Sequence, residues 1–373
     1  MNVLVDGRPF VKTAAGISTF LRCSVAEWAR QKPEYNFFIF LPKRLDDTLE
    51  LKNLPSNIIM LDCSCFLMNR LPNILLLLLY VPFLARKYKI DLYYAPVPCV
   101  PLLLPLKTKK LIVVHDVVNL EQKKTMELRN RISNKLFFSR SVRTADYIWT
   151  NSNYTKERVE HYLPKRKCEC IYTGCSVDRN IYKRLQLSDE NRVKIKEQYG
   201  IKGKSILFVG SLEPRKNLPF LLSIMPELYN KHGIQLVVVG GRGWKNSSIK
   251  DIVSQPNYPQ NSTVFCGYIS NQELAELYNV VDCFVSASLG EGFGMPQLEA
   301  MLCGCPVVTA HNTAMIEVAR NKTGAETIRG FDRDLWIDSI VRSVNCRKLP
   351  LDEELTEYDW SAILNNLQNY LGR

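Results

Sequence analysis

The stretch "LGEGFGMPQLEAMLCG", residues 289–304, sets two glutamates, Glu291 and Glu299, around a tight glycine turn. Pro296 suits the first turn of a helix, where its missing N–H costs nothing, and Gly304 suits the far end as a C-cap. The pattern predicts a short helix over Pro296–Cys303, preceded by a turn of Gly292, Phe293 and Gly294. Free amides at a helix start bind anions, and glycines let the backbone approach a ligand closely. A carboxylate on each side of such a turn can grip hydroxyls on both flanks of a diphosphate, as a nucleotide sugar demands. The same residues also fit a plain helix start whose dipole tolerates an acid.

Outward from this stretch, short β-rich runs alternate with helical segments, the pattern of parallel sheets built from βαβ units. The first half reads as strands "NVLVD", "YNFFIFL", "NIIML", "DLYYA", "LIVVH", "YIWTN" and "CECIYT", with helices near 16–31, 71–87, 125–144 and 153–162. Residues 174–190 have no sustained period and read as a linker. A second series follows: "SILFVG", a helix from 217, "IQLVVVG", "TVFCG", a helix from 270, "CFVSA", the helix at 296 and "PVVTA". Ser270 with Glu273 supplies a capping box for one of these helices. At 373 residues the chain is long enough for two such domains. The expected fold class is α/β, two doubly wound parallel-sheet domains with a cleft between them. Ligands of open parallel sheets sit beyond the carboxyl ends of the strands.

Three further clusters lie at such ends. In "FVGSLEPRKNLPFLL" (208–222) a strand closes at Gly210, Asn217 can cap the next helix, and Arg215 and Lys216 stand side by side. Adjacent cations there can neutralise a diphosphate, Arg through two parallel bonds and Lys as a point charge. They also fit a solvated surface pair. In "LIVVHDVV" (111–118), His115 follows four apolar strand residues. It reads either as a catalytic group or as a structural histidine held by Asp116. In "KTAAGIST" (12–19) Gly16 precedes a helix, and "VVVGGRGW" (237–244) places Gly240, Gly241 and Gly243 after a strand. Neither is a dinucleotide fingerprint or a P-loop.

Net charge narrows the partners. The +12 total sits in residues 1–190, with 30 Lys and Arg against 18 Asp and Glu, while residues 191–373 balance 19 against 19. The first half thus calls for an anionic partner such as a membrane surface or a phosphorylated acceptor. Its basic residues are scattered without a stacking motif, so nucleic acid is not expected. The apolar run "LPNILLLLLYVPFLA" (71–85) is shorter than a transmembrane helix and holds Pro82. It reads as a buried or partly membrane-embedded helix. "MNVLVDGRPF" does not read as a signal peptide. The twelve cysteines, several spaced CxC as at Cys63/Cys65, are expected as reduced thiols. The expected location is cytoplasmic or peripheral on the inner face of the cytoplasmic membrane.

Taken together these residues resemble the retaining glycosyltransferases of family 4, which have the two-domain GT-B fold. The resemblance rests on Glu291 and Glu299 within "EGFGMPQLEAMLCGCPVV", on "GSLEPRKN", on "HD" after a strand, on the glycine loop at 16 and on "CGYIS…ELAELY" (266–278). It covers nearly the whole chain. It implies an acceptor-binding domain over 1–183, a nucleotide-sugar-binding domain over 184–355, and a helix over 356–373 that returns to the first domain. Arg215 and Lys216 would hold the donor diphosphate, and Gly210 would lie beside them. Glu291 would position the transferred sugar, with Phe293, Gly294 and Met295 giving backbone contacts, and Glu299 would bind the ribose. Gly16 would let its loop approach the phosphates, His115 would face the sugar, and Tyr268 and Ile269 would meet the base.

The activity so implied is metal-independent, retaining hexosyl transfer, without a cofactor. GDP-mannose is the favoured donor, and a saccharide or lipid-linked saccharide of surface-polysaccharide assembly the acceptor. Two departures stand out. The segment after Glu317 lacks the family's glycine–aspartate–alanine run, and Gly290 stands where an aromatic or serine is common. A nucleotide-sugar 2-epimerase of the same fold is the alternative enzyme, and a non-catalytic nucleotide-sugar or nucleic-acid binder the alternative outside enzymes.

Overall fold

The computed structural model describes residues 1–11, 16–42, 54–62, 75–117, 137–241, 247–346 and 348–372. In chain order the first elements are β1 (Asn2–Asp6), α1 (Gly16–Gln31), β2 (Asn36–Leu41) and β3 (Ile58–Asp62). A π-helical turn, Leu76–Tyr80, leads into α2 (Val81–Lys87), followed by β4 (Leu92–Ala95), β5 (Lys109–Val114), β6 (Tyr147–Thr150), α3 (Asn153–Tyr162) and β7 (Cys170–Tyr172). Then come α4 (Asp189–Gln198), β8 (Lys204–Val209), α5 (Leu218–His232), β9 (Ile234–Val239), α6 (Ser247–Val253), β10 (Thr263–Gly267) and α7 (Asn271–Val280). The last are β11 (Cys283–Ser286), α8 (Met295–Leu302), β12 (Val307–Ala310), α9 (Met315–Ala319), β13 (Ala325–Ile328), α10 (Arg333–Cys346) and α11 (Trp360–Leu371).

The chain divides into two units, Met1–Ser176 with Glu357–Arg373, and Val177–Thr356. The first holds a seven-stranded sheet in the order β3-β2-β1-β4-β5-β6-β7, the second a six-stranded sheet in the order β10-β9-β8-β11-β12-β13. Every pairing is parallel. Strands buried on both faces read as apolar runs, and β9, "IQLVVV", is buried throughout. The strand order of each sheet reverses once, between β1 and β4 and between β8 and β11. At such a switch the crossover helices leave on opposite faces, so the loops after the two central strands diverge and open a crevice.

In the first unit α1 buries Phe20 and Trp28 against the sheet, and Phe20 packs on Trp149 and Trp360 at 5.0 and 5.2 Å. Trp360 opens α11, whose Trp360, Ile363, Leu364 and Leu367 form one apolar face. Gln368 of that helix donates to Gln31 of α1 at 2.7 Å, and Tyr147 donates to the Leu371 carbonyl at 3.3 Å. The second unit packs Ile206, Phe208, Leu222, Met225, Val238 and Trp336 between sheet and helices. The ten described cysteines are free thiols.

Some expectations shift. α4, α6, α9, α10 and β13 are additions: α4 buries no residue and begins at a Ser188 cap, and β13 is a partly exposed four-residue edge strand. The helix expected over Pro296–Cys303 runs one residue earlier, because Gly294 takes the left-handed conformation and turns the chain into Met295. The beginnings of the helices expected at 71–87 and 125–144, most of the loop before Gly16, the pair Cys63/Cys65 and Gly243 lie outside the described residues.

Candidate active site

The loops after β8 and β11 build a charged cluster at the switch point of the second sheet. After β8 the chain passes Gly210 and a short 3-10 turn, Pro214–Lys216, which places Arg215 and Lys216 together. Asn217 then turns the chain at φ 53° with no side-chain cap, so it acts through its backbone rather than as the expected capping side chain. After β11, Leu289 donates its amide to the Arg215 carbonyl at 2.8 Å, clipping the two loops together.

Glu291 is the hub. Its Oε2 accepts from Arg215 Nη1 at 2.6 Å, and its Oε1 accepts from Lys216 Nζ at 2.6 Å and from Ser288 Oγ at 2.8 Å. Arg215 Nη1 also donates to the Gly290 carbonyl at 2.9 Å. The three side chains are only 12–21% exposed. Burial alone would raise the Glu291 carboxyl, but Lys216 and then Arg215 outweigh it and hold the group below its ordinary range. Glu213 Oε2 lies 3.9 Å from Arg215 Nη2, so the two cations face two carboxylates. The loop after β12 braces the cluster: Thr313 Oγ1 accepts from the Glu291 amide at 3.0 Å, and Asn312 donates to the Ser288 carbonyl at 2.9 Å.

Glu299 lies one turn into α8, which starts at the left-handed Gly294. A Cβ on Gly294 would stand 2.9 Å from Gln297 Nε2, so only glycine fits that entry without displacing its neighbour. Tyr278 donates to Glu299 Oε2 at 3.1 Å. Glu299 keeps some exposure, yet burial pushes its carboxyl up to about 7, opposed in part by Tyr278 and Lys216. The two acids flanking the α8 start are thus tuned in opposite directions, Glu291 firmly ionised and Glu299 titrating near neutrality. Phe293 is buried and packs inward, while Met295 opens the helix.

Gly210 and Gly240 let the backbones after β8 and β9 close up. A Cβ on Gly240 would fall 1.9 Å from the Gly210 carbonyl oxygen. Gly240 donates to the Gly267 carbonyl at 2.8 Å, so glycines end three adjacent strands. Next to Gly267, Tyr268 is 65% exposed and Ile269 is half-buried, on the loop that the Ser270–Glu273 capping box closes into α7. Gly290, where a larger residue was the expectation, faces Thr313, whose methyl would stand 3.4 Å from an added Cβ.

In the first unit His115 follows β5. Its Nε2 faces the Pro96 carbonyl at 2.8 Å, and Asn151 Nδ2 lies 2.7 Å from Nδ1. A carbonyl only accepts and an amide NH2 only donates, which fixes a neutral imidazole protonated on Nε2. Burial pulls its pKa down to about 4. These partners, rather than Asp116, occupy the ring nitrogens. Phe20 of α1 stacks edge-on against the imidazole at 4.8 Å, so the helix that Gly16 opens also orients His115. Sequence reasoning passed over Asp6 and Arg8, which lie where β1 ends. The Asp6 carboxylate is fully buried and grips Arg8 through Nη2 at 2.7 Å and Nε at 2.9 Å. An acid closing an apolar strand was the available signal. Among the described residues, no group of three or more His, Cys, Asp or Glu is placed to hold a metal ion.

Two parallel-sheet α/β units in series, with a charged cluster at a switch point, define the GT-B class of glycosyltransferase folds. The Anabaena protein HepE, solved in complex with UDP-glucose, superposes with a TM-score of 0.73 at 18% identity, covering 100% of this chain and 99% of that one. Residues 203–345 match the family described as glycosyl transferases group 1. An uncharacterized glycosyltransferase of Methanocaldococcus jannaschii is 27% identical over 62% of this chain and 63% of its own length. The O-antigen chain mannosyltransferase B of Escherichia coli is 36% identical over 30% of each chain. Both alignments span less than two thirds of the relative.

Proposed function

We propose that this protein transfers a hexose from a nucleotide-diphosphate sugar to a saccharide or lipid-linked saccharide, with retention at the anomeric carbon and without a metal. One observation carries the reading: Arg215 and Lys216 converge on a single carboxylate, Glu291, at the switch point of the second sheet. Cations held this way suit a diphosphate, and a carboxylate beside them suits sugar hydroxyls. On donor binding, the diphosphate takes over Arg215 and Lys216, and Glu291 turns to the sugar.

The anomeric C–O bond then breaks. Its electron pair stays on the diphosphate, where Arg215 and Lys216 stabilise the growing charge. The acceptor hydroxyl bonds to the anomeric carbon from the same face, and its proton passes to a donor phosphate oxygen. Glu299 accepts from the ribose hydroxyls, Tyr268 and Ile269 border the base, and Gly16 lets its loop approach the phosphates. His115, its ring nitrogens taken up by the Pro96 carbonyl and Asn151, faces the sugar as a neutral ring. Mannose from GDP-mannose is the favoured group, in line with the mannosyltransferase relative; UDP-glucose, carried by the HepE structure, is the second candidate.

A panel of GDP-, UDP- and dTDP-sugars tests the reading by thermal shift. A ligand at a hundred times its Kd adds about 2.7 kcal/mol of stability. Silence across the panel contradicts the proposal. With a donor in hand, NMR of the product's anomeric centre tests retention, and turnover in excess EDTA tests independence from metal. Nucleotide-sugar turnover without acceptor, giving the 2-epimer, would favour the epimerase instead.

A further inference from the structure

The first unit carries an apolar surface that its fold does not use. The helical segment from Leu75 through α2 buries Leu76, Leu77, Val81, Leu84 and Ala85 in the core. Its opposite face is apolar too: Leu75, Leu79 and Phe83, at helical spacing, are 39%, 62% and 55% exposed. A helix apolar all round belongs inside a protein or against lipid, and this one has only one side inside.

A second element extends the surface. The chain after β4 must return to the amino end of β5, because the two strands are parallel. On the way, Leu102, Leu103 and Leu106 stand exposed. Arg86 joins loop to helix, donating to the Pro82 carbonyl at 3.1 Å and the Leu103 carbonyl at 3.3 Å. Exposed Arg86, Lys87, Lys89, Lys107 and Lys109 flank the leucines. Over residues 75–110 the chain has six basic residues and one acid, Asp91. No helix among the described residues is long and apolar enough to cross a membrane.

We propose that this leucine surface, with its lysine and arginine rim, seats the protein on an anionic lipid bilayer as a peripheral, non-spanning contact. Leucine and phenylalanine side chains enter the headgroup–acyl boundary, and the cations pair with lipid phosphates. The charge selects a bilayer over a second copy of this chain, since two such rims would repel each other. The inference deepens the lipid-linked acceptor reading above. Its readout needs no sugar transfer, so the two fail separately.

The test is co-sedimentation with phosphatidylcholine vesicles, with and without about one third phosphatidylglycerol. Binding is expected to the anionic vesicles and to fall steeply with salt. The double variant Leu79→Ser/Phe83→Ser is expected to lower the partition coefficient at least about tenfold. Lys87→Glu/Lys107→Glu should lower it by a similar factor at low salt. All four side chains are exposed, so the variants should melt with the wild type, and nucleotide-sugar thermal shifts should be unchanged. The proposal is overturned if the wild type ignores anionic vesicles, or if the apolar variant binds them equally. A dimer in sedimentation velocity that Leu79→Ser/Phe83→Ser dissolves, without vesicle binding, assigns the surface to a second copy and overturns it as well.

Discussion

The two sheets share one strand order around their switch points, yet the chemistry placed there differs. After β8 and β11, Arg215 and Lys216 sit partly open to solvent, shared between the carboxylates of Glu291 and Glu213. In the first sheet the charges at the switch point, after β1, cancel in the buried Asp6–Arg8 pair, and one strand beyond it, after β5, the histidine is held neutral. Both junctions need glycine for the same reason. A Cβ on Gly7 would fall 2.5 Å from the Phe40 carbonyl, and one on Gly240 would fall 1.9 Å from that of Gly210. The common topology supplies the crevice; the loop residues decide whether it attracts an anion or holds a neutral group. Under the proposed function, a bound diphosphate belongs to the second unit.

The sharpest way to break the comparison is Arg215→Ala. If Arg215 stabilises the leaving diphosphate, kcat should fall about 10²–10³-fold, with a smaller rise in donor KM. Near-normal turnover would mean the cluster is structural. Next comes Gly240→Ala, where backbone overlap at φ 147° should cost about 2–4 kcal/mol in denaturant unfolding. An unchanged midpoint would show that the two loops can separate freely.

His115→Ala probes the neutral side. Loss of an uncharged ring whose hydrogen bonds run to Pro96 and Asn151 should lower kcat no more than about tenfold while leaving nucleotide affinity intact. A ten-thousandfold loss would assign proton transfer to the first unit and upset the contrast. The smallest effect is the pH dependence of Glu299. Its carboxyl protonates as pH falls through about 7, so donor affinity should weaken severalfold between pH 8 and 6. Glu299→Gln should flatten that profile. The sign for stability is opposite: a carboxyl raised on folding favours the fold below about 4.5 and loses that contribution as pH rises through about 7.

Much of this was legible in the sequence because the strands are apolar runs and the turns are spelled by glycine and proline. "FVGSLEPRKN" and "GEGFGMP" announced their loops, and the resemblance assigned them roles. What remained hidden was long-range. Nothing local says that Glu291 pairs with both Arg215 and Lys216, since that contact needs β8 and β11 as neighbours. Thr313 and Asn312 act through a third loop, and no pattern in "AHNTAM" marks them. α4 escaped because it is polar all round, and β13 because four half-exposed residues carry too little periodicity. The tuning of Glu299 depends on Tyr278, which reaches it from α7.

The most direct measurement is calorimetric titration of GDP and UDP into the wild type and into Arg215→Ala/Lys216→Ala. The account predicts saturable binding of at least one nucleotide by the wild type and a loss of about a hundredfold or more in the double variant, which retains its fold. Equal affinity in the two proteins would place the diphosphate elsewhere and contradict the assignment of this switch point.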